Sequence, residues 1–175
     1  MTIYDLTKEE LENYFLDHND KKFRATQLFS WLYQKKVKSY AEITDIKKET
    51  LSMLENDLPL KRVEKVNVER DKDVNKYLFE LSDKEHIEAV LMRHDYGNSI
   101  CVSSQVGCNM GCKFCESGRR KKVRNLTAGE IVSQVLEVEE DINEKITHVV
   151  LMGIGEPFDL SLIHISEPTR RTPIS

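Results

Sequence analysis

A chain of 175 residues has room for one ordinary domain, or for a small domain joined to part of a larger one. With 39% hydrophobic and 32% charged residues its composition is that of a soluble globular protein, which excludes disorder along the whole length. No apolar run approaches the roughly 18–20 residues of a membrane span, and a formal net charge of −4 excludes a protein that coats nucleic acid non-specifically.

The N-terminus, Met1-Thr2-Ile3-Tyr4-Asp5, lacks the basic and apolar regions of a secretory signal, so the chain reads as cytoplasmic with no membrane partner. Thr7-Lys8-Glu9-Glu10 predicts a capping box, followed by Leu11, Tyr14 and Phe15 at helical spacing. A second helix is predicted over 24–37, with Leu28, Phe29, Trp31 and Leu32 as its apolar side. A third covers about 46–56 and stops at Leu58-Pro59. Residues 1–60 therefore form a small helical domain. Val63, Val66 and Val68 suggest an extended segment, and Tyr77–Leu81 and Ile87–Met92 read as strands around the turn Ser82–Glu85, making 61–95 a β-rich connection.

From residue 96 to 159 the pattern changes again. Ile100–Ser103 is a short strand leading into a cysteine loop, and Thr127-Ala128-Gly129-Glu130 caps a helix carrying Ile131, Val132, Val135 and Leu136. Ile146–Met152 is an apolar strand running into Gly153-Ile154-Gly155-Glu156-Pro157. Strand, loop, helix, strand and glycine-rich loop mark the start of a parallel α/β architecture, and the fold class is α/β.

All four cysteines lie between Cys101 and Cys115, and clustered cytosolic thiols are more often ligands or catalysts than disulfide partners. Cys108, Cys112 and Cys115 share one loop. Three thiolates there can hold three irons of a cubane cluster and leave the fourth iron open. An open iron can chelate the amino and carboxylate groups of S-adenosylmethionine (SAM) and pass an electron to its sulfonium. Zinc is the alternative, although structural zinc usually takes four ligands in two separated pairs, and neither His94 nor His148 has a familiar spacing to these thiols. Two basic stretches stand out, Lys21 to Lys38 and Arg119 to Arg124. Phe29 and Trp31, beside the first, read as core residues of the helical domain.

The run Ile100-Cys101-Val102-Ser103-Ser104-Gln105-Val106-Gly107-Cys108 through Cys115, with Phe114 before the last cysteine, resembles the RlmN/Cfr family of radical SAM 23S rRNA adenine methyltransferases. Arg124-Asn125-Leu126-Thr127 and Gly153-Ile154-Gly155-Glu156-Pro157 match that family in order and spacing. The resemblance implies a partial (β/α) barrel after the helical domain and a [4Fe–4S] cluster on Cys108, Cys112 and Cys115. It implies SAM at Gly155 and Glu156, with Gly118 easing the backbone around the cofactor. Cys101 matches a cysteine that resolves a covalent protein–RNA intermediate, helping to remove a proton and then forming a disulfide with a second, methyl-carrying cysteine. Glu88 falls where the family has an active-site glutamate, suited to proton transfer. The implied substrate is 23S rRNA, for some members also tRNA, with C2 of adenine preferred to C8. An electron donor for the cluster and a monomeric full-length protein are implied too. The run Arg119 to Arg124 would meet RNA phosphates.

Two departures qualify the resemblance. Glu116 stands where the family has a small residue, and a carboxylate beside an anionic cluster opposes its reduction unless Arg119 offsets it. No cysteine follows Cys115, and residues 160–175, including Ser161-Leu162-Ile163-His164-Ile165-Ser166-Glu167-Pro168, do not resemble the family's next helix. They read as translated sequencing-adapter sequence, so the expectation is an N-terminal fragment, truncated within the barrel, inactive in methyl transfer. Two rivals remain: a radical SAM enzyme of another substrate class, which has no need of Cys101, and a zinc-binding RNA module.

Overall fold

The computed structural model describes residues 1–160, so the tail expected to be foreign lies, from residue 161 on, outside the described residues. Among the described residues no helix is long and apolar enough to cross a membrane. The chain divides into two compact units, one of Met1–Val63 with Thr127–Glu144, the other of Glu64–Leu126 with the segment from Lys145 onward.

The first unit is helical. Helix α1 (Lys8–Asp17) starts at the expected capping box, where the Thr7 N–H donates to Glu10 Oε2 at 2.7 Å and the Glu10 N–H donates to Thr7 Oγ1 at 3.2 Å. Helix α2 (Phe23–Phe29) runs into a π-helical turn, Ser30–Gln34, instead of continuing as one α-helix over 24–37. The Lys35 N–H reaches back to Ser30 O at 3.0 Å, and Lys36, at φ 55°, ends the helical path. Helix α3 spans Lys48–Asp57. Leu11, Phe15, Leu28, Leu32, Leu51 and Leu54 build the core, with Phe29 and Trp31 partly buried against it.

Helix α4 (Ala128–Ile142) belongs to this unit, contributing Leu136 to the same core. Its N-terminus carries the Thr127–Glu130 capping box and a second carboxylate from far away in sequence. Asp5 Oδ1 accepts the Gly129 N–H at 2.8 Å, and Asp5 Oδ2 accepts the Thr2 N–H at 2.7 Å. A Cβ on Gly129 would stand 2.7 Å from Asp5 Oδ1, so a larger residue there would have to displace the Asp5 carboxylate. A negative charge there also complements the helix dipole.

The charged stretches of the sequence meet on the outer side of α4. Lys36 pairs with Glu139 at 2.7 Å and Lys38 pairs with Glu140. Arg62, nearly buried, reaches Glu137 at 3.5 Å and Glu140 at 3.3 Å while its Nε donates to Tyr4 Oη at 2.9 Å. Burial pushes the Glu137 carboxyl up, outweighing the Arg62 charge that draws it down. Much of the first basic stretch is thus spent inside its own unit.

The second unit is a five-stranded sheet in the order β1-β2-β3-β4-β7: β1 (Glu64–Arg70), β2 (Val74–Glu80), β3 (His86–His94), β4 (Gly97–Cys101) and β7 (His148–Val150). Neighbours are antiparallel except β4 and β7, which pair in parallel. Among the described residues the expected parallel architecture is therefore present as this one pair, within a mixed α/β fold. Alternation along the strands separates two faces. Tyr77, Phe79, Ile87, Ala89, Leu91 and Ile100 are buried on one. A two-stranded ribbon, β5 (Gln105–Val106) with β6 (Arg124–Asn125), follows β4.

Replacing Asp5 with Ala should cost about 1–2 kcal/mol, as for other lost helix caps. Burial alone would raise the Asp5 carboxyl, but hydrogen bonds from Thr2, Thr127 and Gly129 hold it below its ordinary value. A depressed pKa contributes stability above the unfolded value, near 3.8, and that stability is lost as pH falls through the folded value. Urea midpoints of wild type and Asp5→Asn should differ at pH 7 and converge as pH falls below 3.8.

Candidate active site

The cysteine loop hangs from the β5–β6 ribbon. Gln105 pairs with Asn125 and Val106 with Arg124, the Val123 N–H donates to Val106 O at 2.8 Å, and the Cys108 N–H donates to Arg120 O at 3.0 Å. At Gly107, φ 72°, a Cβ would stand 2.3 Å from Lys121 O, so the two ends of the loop can close only over glycine. Inside the loop the Cys115 N–H donates to Cys112 O at 3.1 Å and the Gly118 N–H to Cys115 O at 3.2 Å. The Met110 N–H points at Cys108 Sγ, 3.5 Å away. Gly118 has ordinary surroundings: a Cβ there would lie 3.6 Å from the Cys112 backbone.

Cys108 is buried, Cys115 half-buried and Cys112 exposed, and all are free thiols. Three unpaired thiols on one short loop fit the donor set of an iron–sulfur cluster. Among the described residues no three His, Cys, Asp or Glu side chains converge as a ready-made metal site, so the thiols must turn toward a common centre to hold one. Glu116 pairs with Arg119 at 3.1 Å on the exposed side of the loop, the offset its position calls for.

The Gly-Glu-Pro loop lies along residues 102–105. The Val102 N–H donates to Val150 O at 2.9 Å and the Gly153 N–H to Val102 O at 3.0 Å. The N–H groups of Ser104 and Gln105 both donate to Ile154 O, at 2.9 and 3.0 Å. Such closeness has a steric condition. A Cβ on Gly153 would fall 2.7 Å from the Val102 carbonyl, and one on Gly155, φ 117°, 2.7 Å from Gln105 Cβ. Glu156 Oε1 accepts the Phe158 N–H at 3.0 Å, and its other oxygen takes no protein donor among the described residues.

Cys101 and Glu88 share the less buried face of the sheet. Cys101 pairs with Val90, two residues along β3 from Glu88, and paired residues point the same way. Glu88 forms an ion pair with Lys76 at 2.8 Å. Burial pushes the Cys101 thiol up, more than a backbone hydrogen bond from Met152 draws it down.

Two residues without an assigned role in the sequence are central here. Ser103, fully buried, donates through Oγ to Glu88 O at 2.6 Å and accepts the Ile154 N–H at 3.0 Å. Gln105, also fully buried, accepts the Glu156 N–H at 3.0 Å. Their signal was polar side chains between a buried strand and a glycine loop, where a hydroxyl or carboxamide must be satisfied internally.

The basic run beside the loop is largely paired. Arg120 meets Glu85 at 2.5 Å, Lys122 meets Asp159 at 2.5 Å and Arg124 meets Asp83 at 2.7 Å. Lys113 and Lys121 have no acidic partner among the described residues.

Residues 1–58 match the ribosomal RNA large subunit methyltransferase N-terminal domain, RlmN_N. Over 164 residues the chain is 52% identical to the probable dual-specificity RNA methyltransferase RlmN of Enterococcus faecalis, covering 90% of this chain and 46% of that protein. The protein of the same name from Streptococcus thermophilus is 49% identical, with 90% of this chain and 42% of that protein covered. A radical SAM methyltransferase from Sphaerobacter thermophilus has a similar structure, with a TM-score of 0.85 at 36% identity over 94% of this chain and 50% of that one. The chain thus spans about half the length of the curated relatives it matches. By these matches residues 1–58 correspond to the RlmN N-terminal domain, and 90% of the chain is similar to proteins named RlmN.

Proposed function

We propose that this chain is the cluster- and SAM-binding part of a radical SAM RNA methyltransferase that places a methyl group on an adenine carbon, C2 in preference to C8. The substrate is 23S rRNA, with tRNA as a second one. The observation that carries this is the attachment of both motif loops, cysteine and Gly-Glu-Pro, to one short backbone segment, residues 102–108.

Cys108, Cys112 and Cys115 would hold a [4Fe–4S] cluster, which when bound and reduced by an electron donor supplies the electron for SAM cleavage. The chain's own residues do the rest. Glu156 offers an unpartnered carboxylate oxygen to the SAM amino group, and Gly155 lets the backbone come close. Arg119 keeps the Glu116 charge offset near the thiols.

Cys101 is a thiol at neutral pH because burial disfavours the thiolate. It can therefore hold a proton until a base takes it, and only then act as a nucleophile. Glu88, which shares that face on the neighbouring strand, would serve in proton transfer, a reading supported by the β3–β4 register. Lys113 and Lys121 are available to phosphates, and the exposed pair of Arg120 can exchange carboxylate for phosphate at small cost, since a surface pair is worth about 0–1 kcal/mol.

After anaerobic reconstitution the chain should hold about four irons and four sulfides, as a cubane requires. The triple change Cys108→Ala, Cys112→Ala and Cys115→Ala should hold none. One tightly bound zinc and no cluster would establish the zinc-binding module instead. That triple variant leaves Cys101 as the sole thiol, and its alkylation by iodoacetamide should rise with pH to a midpoint above the ordinary 9.0. A midpoint at or below 9.0 would remove the case for a protonated Cys101. Nucleoside mass spectrometry of RNA treated with the full-length enzyme should show 2-methyladenosine; 8-methyladenosine would reverse the choice of carbon.

A further inference from the structure

Gln105 is fully buried, and its carboxamide and its N–H are each engaged by another segment. Its Oε1 accepts the Glu156 N–H at 3.0 Å, and its Nε2 donates to Asn125 Oδ1 at 2.9 Å and to Asp159 Oδ2 at 3.1 Å. Its own N–H donates to Ile154 O at 3.0 Å. Asn125 lies where the chain leaves the cysteine loop, while Glu156 and Asp159 flank the turn that ends the Gly-Glu-Pro loop. A second path runs alongside. Asn109, next to Cys108, accepts the Lys122 N–H at 3.1 Å, and Lys122 Nζ reaches the same Asp159 oxygen at 2.5 Å.

We propose that Gln105 is a positioning residue that fixes the register of the Gly-Glu-Pro loop against the cysteine loop, so that Glu156 and the three thiols address one SAM molecule. This rests on the function proposed above for the two loops. A carboxamide suits the task because it presents one acceptor and two donors from a single plane. A leucine of similar size would leave the Glu156 N–H without its acceptor, and a carboxylate would set an oxygen against Asp159. Ser103 secures the other side of the same loop through Ile154 and ties it to Glu88 on β3. The Gln105 carboxamide joins all three segments.

Gln105→Glu keeps the shape and the acceptor for Glu156 but loses both donors. Adding Asp159→Asn restores a donor–acceptor pair at the point of conflict. Two readouts separate the roles: amide exchange on the purified chain without cofactors, and equilibrium SAM binding to the anaerobically reconstituted chain. For Gln105→Glu we expect exchange of the Ile154, Glu156 and Phe158 amides to quicken about tenfold and SAM affinity to fall about tenfold, the scale of one or two lost hydrogen bonds. Iron content should stay unchanged, and the double variant should recover most of both effects. Unchanged exchange and affinity would overturn the proposal. So would faster exchange throughout β1–β3, or equal loss of iron and SAM without recovery, since either marks a general packing role. If Gln105→Glu does not fold, Gln105→Met, uncharged and of similar volume, is judged by the same outcomes. Wild-type protein that binds no SAM, with the exchange result intact, would refute the SAM assignment and leave the register role standing.

Discussion

The strip of backbone from Val102 to Gln105 is the constraint on which the rest of the site depends. On one side it takes the Gly-Glu-Pro loop through bonds to Val150, Gly153 and Ile154, and at its end it begins the ribbon that closes the cysteine loop. Buried backbone groups must find partners, and here Val102 O and the N–H groups of Ser104 and Gln105 find theirs in the Gly-Glu-Pro loop. The distance between those loops is therefore set by hydrogen-bond geometry and by the absence of side chains at Gly107, Gly153 and Gly155. A side chain at any of the three would push apart segments that the proposed chemistry needs together.

The helical unit shows a different use of the same principle. Lys36, Lys38 and Arg62 look in sequence like a basic surface, and Glu137, Glu139 and Glu140 like an acidic one. Folding brings them together along α4, where the nearly buried Arg62 needs its carboxylates to stay satisfied. Charges spent this way are not available to RNA. Around the cysteine loop, by contrast, Lys113 and Lys121 have no acidic partner among the described residues, and Arg120 sits in an exposed pair that phosphate can replace.

Much of this was legible in the sequence. Thr7–Glu10 and Thr127–Glu130 announced their helices because a capping box is a local interaction between residues three apart. Strands β2 and β3 followed from local apolar pattern. What local pattern did not carry was long-range: the passage of α2 into a π-helical turn at Ser30, and the second capping of α4 by Asp5 from the far end of the chain. At the site, the cysteine spacing and glycine motif pointed to the loops, but Ser103 and Gln105 act through partners about 50 residues away. No window of sequence shows such bonds.

The account comes down to one arrangement: three thiols and Glu156 around one SAM molecule. Anomalous iron scattering from crystals of the reconstituted chain grown anaerobically with SAM tests it directly. The account predicts iron at Cys108, Cys112 and Cys115, with the SAM amino group within hydrogen-bonding distance of Glu156. A single metal completed by a fourth protein ligand, or SAM bound away from the Gly-Glu-Pro loop, would contradict it.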